Sequence, residues 1–252
     1  VNSGKESLLC SVDPFYYDFV EQSNSNTSEN CTGAMAAKTK DFNLTIAFTS
    51  DMHGHVDTLP RIATLVSEVR QAGNAVLVDG GDISIGTVFA KHHGHGAMSE
   101  VMELMGYQAM AVGNHDLEYI SDLSSKMPLL SVNAPGFLPS VTLNVGGVKV
   151  GFLSYTAVEN GSKPADLVHK LKNEAICMRR AGAELVVLLG HGQSAFNLYV
   201  AENTIGIIDA VLGGHTHQLQ GCIRAYCHGS IVLTPGTAGE HLGVLTVSRR
   251  AG

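Results

Sequence analysis

The chain has 252 residues, 44% of them apolar and 15% charged, with a formal net charge of -7. This length and composition suit one substantial globular domain with a filled core and exclude a disordered chain. The acidic balance argues against a nucleic-acid binder, and no apolar run approaches the roughly 18 residues needed to span a bilayer.

Residues 1–41 read as an N-terminal extension, partly disordered, ahead of a domain at 42–252. The run Gln22 to Asn30 is polar throughout and lacks an apolar face, whereas Phe15-Tyr16-Tyr17-Asp18-Phe19 suits a short docking segment. Val1-Asn2-Ser3-Gly4 is not a signal peptide, and a removed leader would leave no trace. Residues 44–48 are a predicted strand. Thr58 is placed to cap a helix with Pro60 in its first turn, and Leu59, Ile62, Leu65, Val66 and Val69 share one face up to Gly73. Ala75 to Val78 is a continuous apolar strand of the kind covered on both faces.

Ile83 to Gly96 reads as a glycine-rich loop containing Lys91, His92, His93 and His95, none of which is expected to be a primary metal ligand. A helix follows with Met98, Val101, Met102 and Met105 inward, closed by Gly106. Met110 to Val112 and Met127 to Val132 are strand-like. Residues 141–145 and 148–153 form a hairpin about Gly146-Gly147. Ala165 to Arg180 is a helix burying Leu167, Val168, Leu171, Ala175 and Ile176. Residues 185–189, 208–212, 230–233 and 242–247 are further strands. The order predicts an α/β fold: a four-layer α-β-β-α sandwich, two central mixed sheets flanked by helices.

Of five cysteines, Cys222 and Cys227 suit a short disulfide loop, Cys10 and Cys31 a second bridge, and Cys177 is expected to be free and buried. Acceptor sequons at Asn26, Asn30 and Asn43 lean towards a secreted or cell-surface glycoprotein.

The apolar runs end in a consistent way. Asp51 and His53 follow residues 44–48, Asp82 follows 75–79, Asn114 and His115 follow 110–112, His191 follows 185–189, and His215 and His217 follow 210–214. In extended segments Asp51 and His53 would share one side, as would His215 and His217. Carboxylates, an amide and imidazoles gathered at the carboxyl edge of a sheet are the donors of a two-metal site, and imidazoles favour Zn, Mn, Fe or Co over Mg or Ca.

The order Asp51-x-His53, Gly81-Asp82, Gly113-Asn114-His115-Asp116, Gly190-His191 and Gly213-Gly214-His215-Thr216-His217 resembles the calcineurin-like metallophosphoesterases, within them the 5'-nucleotidase and UDP-sugar hydrolase group. Leu59 to Leu65 and Gly106 to Met110 share the likeness, which spans about residues 43–247. The resemblance implies two divalent metal ions. Asp51, His53 and His217 would hold the first, and Asn114, His191 and His215 the second, with Asp82 bridging. His115 would stabilise the transition state or protonate the leaving alkoxide. The family usually has glutamate directly after this histidine and an orienting aspartate three residues after it. Here Asp116 and Glu118 are exchanged, and Glu118 is expected to orient His115. The resemblance also implies hydrolysis of phosphomonoesters, most of all nucleoside 5'-monophosphates. Alternatives are a phosphodiesterase or nucleotide-sugar hydrolase, and a non-catalytic nucleotide-binding secreted protein. The partner is a small nucleotide or other phosphoester rather than a nucleic-acid polymer. The substrate-binding C-terminal domain of the group is absent from these 252 residues and is the other expected partner, within the same parent chain.

Overall fold

The computed structural model describes residues 6–12, 41–94, 96–119, 126–157, 163–224 and 230–249, with the backbone alone at 6–12 and 222–224. In chain order the elements are β1 (Glu6–Val12), β2 (Phe42–Thr49), α1 (Leu59–Ala72), β3 (Ala75–Asp79), α2 (Val88–His93) and α3 (Gly96–Met105). Then come β4 (Ala109–Ala111), a 3-10 turn (Asp116–Tyr119), β5 (Leu129–Leu130), β6 (Ser140–Val145), β7 (Val148–Thr156) and α4 (Pro164–Arg180). The chain continues through β8 (Leu185–His191), α5 (Ser194–Asn203), β9 (Ala210–Gly214), β10 (Leu219–Arg224), β11 (Ile231–Pro235) and β12 (Gly243–Arg249).

Two six-stranded sheets form, ordered β1-β12-β2-β3-β4-β5 and β10-β11-β9-β8-β7-β6. Both are mixed. β2 to β5 run parallel and β12 antiparallel beside them; β7, β8, β9 and β11 run parallel between antiparallel edges. Side-chain alternation sets the layers. Val76 and Val78 of β3 face the second sheet, where Val187 and Leu189 of β8 join the same core with Phe48 and Phe152. Leu77 points outward under α1 and α3, against Ile62, Met98 and Met102. Val186 and Leu188 point outward under α4 and α5, against Leu171, Ala175 and Val200. The result is the expected four-layer α-β-β-α sandwich. Each fully buried Phe or Leu contributes about 1.5–3 kcal/mol relative to exposure, so the sheet-to-sheet layer is the main anchor for the loops at its edge.

Several sequence-based expectations change. The extension contains β1, which pairs antiparallel with β12 from Glu6↔Arg249 to Val12↔Gly243; the aromatic segment at 15–19 and the polar run at 22–30 lie outside the described residues. The glycine-rich loop holds the short helix α2, capped by the Thr87 hydroxyl. Helix α5 was not expected. Thr58 sits at the head of α1 without capping it: its hydroxyl donates to the carbonyls of Ala238 (2.8 Å) and His55. On α4, Met178 is buried where Ile176 was expected and Ile176 is half-buried.

The cysteine expectations are also corrected. Among the residues whose side chains are described no disulfide is present. Cys177 is free and exposed, because it lies across the helix from Leu171, Ala175 and Met178. Cys31 and Cys227, one member of each expected pair, lie outside the described residues, as do Asn26 and Asn30, whereas Asn43 is exposed. Among the described residues no helix is long and apolar enough to cross a membrane.

Candidate metal centre

The carboxyl ends of β2, β3, β4, β8 and β9 lie along one edge of the sandwich. Parallel register brings Thr49 beside Asp79 and Asp79 beside Met110 in one sheet, and His191 beside Gly214 in the other. The loops leaving these strands carry the polar residues singled out from the sequence.

They do not leave as extended segments. Asp51 (φ 53°), His53 (46°), Asp82 (57°), His215 (77°) and His217 (57°) all adopt left-handed backbone. Among the described residues, Ala238 (56°) is the other non-glycine with positive φ. Such conformations cost about 1–3 kcal/mol each and persist where surrounding contacts enforce them. Those contacts are present. Asp51 N–H donates to Gly81 O (2.8 Å), His53 N–H to Asp82 O (3.0 Å) and Gly54 N–H to Ile83 O (2.7 Å), so the first loop lies against the second. The Asp51 carbonyl accepts from Ala238 N and Thr237 Oγ1, each at 2.8 Å.

Two clusters result. In the first, Nε2 of His53 and Nε2 of His217 are 2.9 Å apart, with Asp51 Oδ1 at 4.0 and 3.5 Å from them. In the second, His191 Nε2 is 3.2 Å from both Asp82 Oδ2 and Asn114 Oδ1, and His215 Nδ1 is 2.9 Å from that same amide oxygen. Within each of the triads Asp51–His53–His217 and Asp82–His191–His215, the donor atoms lie within 4.8 Å of one another. Two Asp/His clusters of this kind form a candidate dinuclear metal-binding centre.

The surroundings orient these groups. His191 is fully buried and its Nδ1–H donates to the Gly80 carbonyl at 2.7 Å, which turns Nε2 towards the cluster. The Asp51 carboxylate accepts from Ser50 Oγ (2.6 Å) and from the His215 N–H. Close approach demands glycine at two points. A Cβ on Gly113 would lie 2.0 Å from Asp82 Oδ1, and one on Gly81 would lie 2.9 Å from His191 Nδ1.

Burial and charge act in opposition. Burial works to lower the His191 pKa, but the hydrogen bond and charge of Asp82, with Asp51 and the Gly80 carbonyl, outweigh it and lift the ring to about 9. Burial likewise works to raise Asp82, and the hydrogen bond and charge of His191 hold it below its ordinary value. Burial lowers His53 and His215 despite nearby carboxylates.

His115 is half-buried beside the first cluster, its ring centroid 5.9 Å from that of His53, and its N–H donates to Asp82 Oδ1. Glu118 is exposed; its N–H donates to the His115 carbonyl, and among the described residues no hydrogen bond or ion pair joins its carboxylate to the His115 ring. Lys91, His92 and His93 are exposed on α2 and in neither cluster, and His95 lies outside the described residues.

Two residues escaped the sequence reading. Asp79 is fully buried, accepting from Thr49 Oγ1 (2.6 Å) and Gly81 N–H (2.7 Å), while Tyr107 hydrogen-bonds Thr49. The signal was a carboxylate at the end of an otherwise apolar strand. Asp116 is also fully buried; it adjoins the His115 motif but was read only as an exchanged acid.

The chain is 29% identical to a 5'-nucleotidase from Rattus norvegicus, covering 71% of this chain and 38% of that protein. It is also 29% identical to a snake venom 5'-nucleotidase from Crotalus adamanteus, covering 73% of this chain and again 38% of the relative. It thus spans less than half the length of these relatives. Among solved structures, a 5'-nucleotidase precursor from Thermus thermophilus shares the fold with a TM-score of 0.72 at 22% identity, over 81% of this chain and 51% of that one. A calcineurin-like phosphoesterase from Bacillus subtilis does so at 0.69 and 20% identity, over 83% and 86%. The family model for calcineurin-like phosphoesterases matches residues 44–219, and the chain belongs to that family.

Proposed function

We propose that this chain is the metal-binding catalytic domain of a 5'-nucleotidase-type metallophosphoesterase that hydrolyses phosphomonoesters, nucleoside 5'-monophosphates first among them. The observation that carries the reading is the convergence of two donor triads, one from Asp51, His53 and His217 and one from Asp82, His191 and His215. The donor set fits a pair of divalent ions. Imidazoles, carboxylates and the Asn114 amide oxygen suit borderline cations, so Zn, Mn, Fe or Co are the candidates. Asp51, His53 and His217 would hold one ion, Asn114, His191 and His215 the other, with the Asp82 carboxylate between them.

When bound, such a pair supplies positive charge to phosphoryl oxygens and acidifies a water to the range of neutral pH. The side chains do the rest. Asp82 sets negative charge between the two clusters. The His191 Nδ1–H bond to Gly80 keeps its ring from rotating. His115, beside the first cluster, is the group for the leaving side: as the ester P–O bond breaks, the departing oxygen takes the proton from its imidazolium. Glu118 is three residues on, and its N–H donates to the His115 carbonyl, which keeps the two residues adjacent. It is assigned to orient the His115 ring.

Nucleoside recognition is assigned to a C-terminal domain of the same parent polypeptide, consistent with the 38% coverage of the curated relatives. An extracellular or cell-surface setting is supported by the sequons and by the likeness to snake venom proteins. The test is phosphate release from AMP, UMP, UDP-glucose and bis-p-nitrophenyl phosphate by metal-stripped protein given Mn²⁺, Zn²⁺ or Co²⁺. Release from AMP supports the nucleotidase reading. Turnover of the diester alone points to a working centre that lacks its nucleoside site. No turnover with any ion, despite two ions bound, rules out this chain as an enzyme on its own.

A further inference from the structure

The parallel ladder between β3 and β4 ends at Asp79 and Met110. Beyond it, the two loops that carry Asp82 and Asn114 run side by side, and both turn backbone N–H groups inward. Two donors cannot bond to each other. Between them lies the Asp116 carboxylate, 0% exposed. Its Oδ2 accepts from Asp82 N–H (2.8 Å) and Gly113 N–H (2.9 Å), and its Oδ1 accepts from Ile83 N–H (3.1 Å). One buried anion thereby satisfies three donors on two loops and replaces the ladder that has ended. It fixes Asp82 in its left-handed conformation (φ 57°) and sets the distance from Asp82 to Asn114. Asp82 Oδ1 in turn accepts the His115 N–H at 3.0 Å, so the same clamp locates the residue assigned to the leaving group.

From this geometry we infer that Asp116 is a positioning residue for the dinuclear centre, holding the bridging carboxylate in register with the Asn114–His115 loop. This rests on the metal-centre reading above. A carboxylate is needed because it presents acceptor lone pairs in two directions and carries no donor. An amide in its place keeps one acceptor oxygen and turns an NH₂ group towards a backbone N–H.

The experiment is metal titration of metal-stripped wild type and Asp116→Asn by calorimetry, with the visible spectrum of the Co²⁺-loaded forms as a second readout. Wild type is expected to take two equivalents. In Asp116→Asn, affinity for the equivalent held by Asn114, His191 and His215 falls about 10–100-fold, the usual effect of losing a group that orients a ligand. The other equivalent, for which Asp82 is the shared carboxylate, weakens by a smaller factor, and the Co²⁺ spectrum shifts. A lower melting temperature with an unchanged isotherm and spectrum means a merely structural role and overturns the inference. Fewer than two equivalents in the wild type is the failure of the metal-centre reading itself, seen before any variant is compared. Should Asp116→Asn not fold, amide exchange in the wild type decides: slow exchange at Asp82, Ile83 and Gly113 is expected, and fast exchange at these amides overturns the clamp.

Discussion

His53 and His217 face each other nitrogen to nitrogen, their Nε2 atoms 2.9 Å apart, with Asp51 Oδ1 3.5 Å from the second ring. Two imidazole nitrogens at that distance share at most one proton, and burial lowers the pKa of His53. Lone pairs aimed at a common point suit a cation.

The first prediction is that Zn²⁺, Mn²⁺ or Co²⁺ raises the melting temperature of the metal-stripped protein. A ligand at a hundred times its Kd stabilises the fold by about 2.7 kcal/mol. His217→Ala is expected to remove one of two binding equivalents and most of the corresponding shift. Scanning calorimetry checks both, and an unchanged melting temperature with every ion counts against the centre.

Asp82 belongs to the second cluster, 3.2 Å from His191 Nε2 and hydrogen-bonded to the His115 backbone, and is the carboxylate proposed to be shared by the two ions. Asp82→Asn keeps the shape and removes the negative charge. Losing even an outer partner of a metal ligand costs about 10–100-fold, so loss of a shared ligand is expected to reduce phosphate release by at least about 100-fold. Steady-state phosphate release checks this, with circular dichroism confirming that the fold is retained. Activity within a few-fold of wild type means that Asp82 is not shared.

The candidate donors were legible because each follows an apolar strand of the kind that parallel sheets bury, and the ends of such strands share one edge. The helices α1, α3 and α4 were legible by their one-sided apolar spacing. Helix α5 was not: Phe196, Leu198, Tyr199 and Val200 crowd together, and its buried Asn197 accepts a hydrogen bond from Tyr155 on β7. Apolar and polar positions therefore do not sort by face. Strand β1 has its partner β12 more than 230 residues away, beyond any local pattern. The left-handed state of Asp51 and His53 was equally hidden, since it is imposed by the carbonyls of Gly81 and Asp82 and by the Ala238 loop.

A third prediction concerns pH. In the metal-free protein His191 is raised to about 9, from 6.5 for the free ring, through Asp82 against the opposing effect of burial. A raised folded value means that this contribution is complete below about pH 6.5 and is lost as pH climbs through about 9, on the order of 1–3 kcal/mol. The lowered Asp82 is the same interaction seen from its partner and is not added. Asp79, raised by burial, contributes a loss of the same sign as pH rises. Urea unfolding of metal-free wild type is therefore expected to weaken from pH 6.5 to 9, with a shallower decline in His191→Gln. Equal slopes for the two proteins refute the assignment. With ions bound at His191 Nε2, loading near pH 7 is expected to release a proton, which calorimetry in buffers of different ionisation enthalpy detects.

The last prediction separates His115 from Glu118. His115 is half-buried at the rim of the first cluster and is proposed to protonate the departing oxygen, so His115→Asn is expected to lower kcat about 10²–10⁴-fold, the range of general acid catalysis. Its side chain belongs to neither donor triad, so two ions still bind. The loss is expected to be smaller for p-nitrophenyl phosphate than for AMP, because a good leaving group needs little protonation. Glu118 is exposed, and in its proposed role it would act only through the orientation of the His115 ring. Glu118→Gln is expected to cost about tenfold or less. Adding it to His115→Asn should cost nothing more, since a group that acts through another falls silent when that other is gone. A double variant clearly slower than His115→Asn gives Glu118 an independent role, and a wild-type rate in His115→Asn with AMP removes His115 from the reaction.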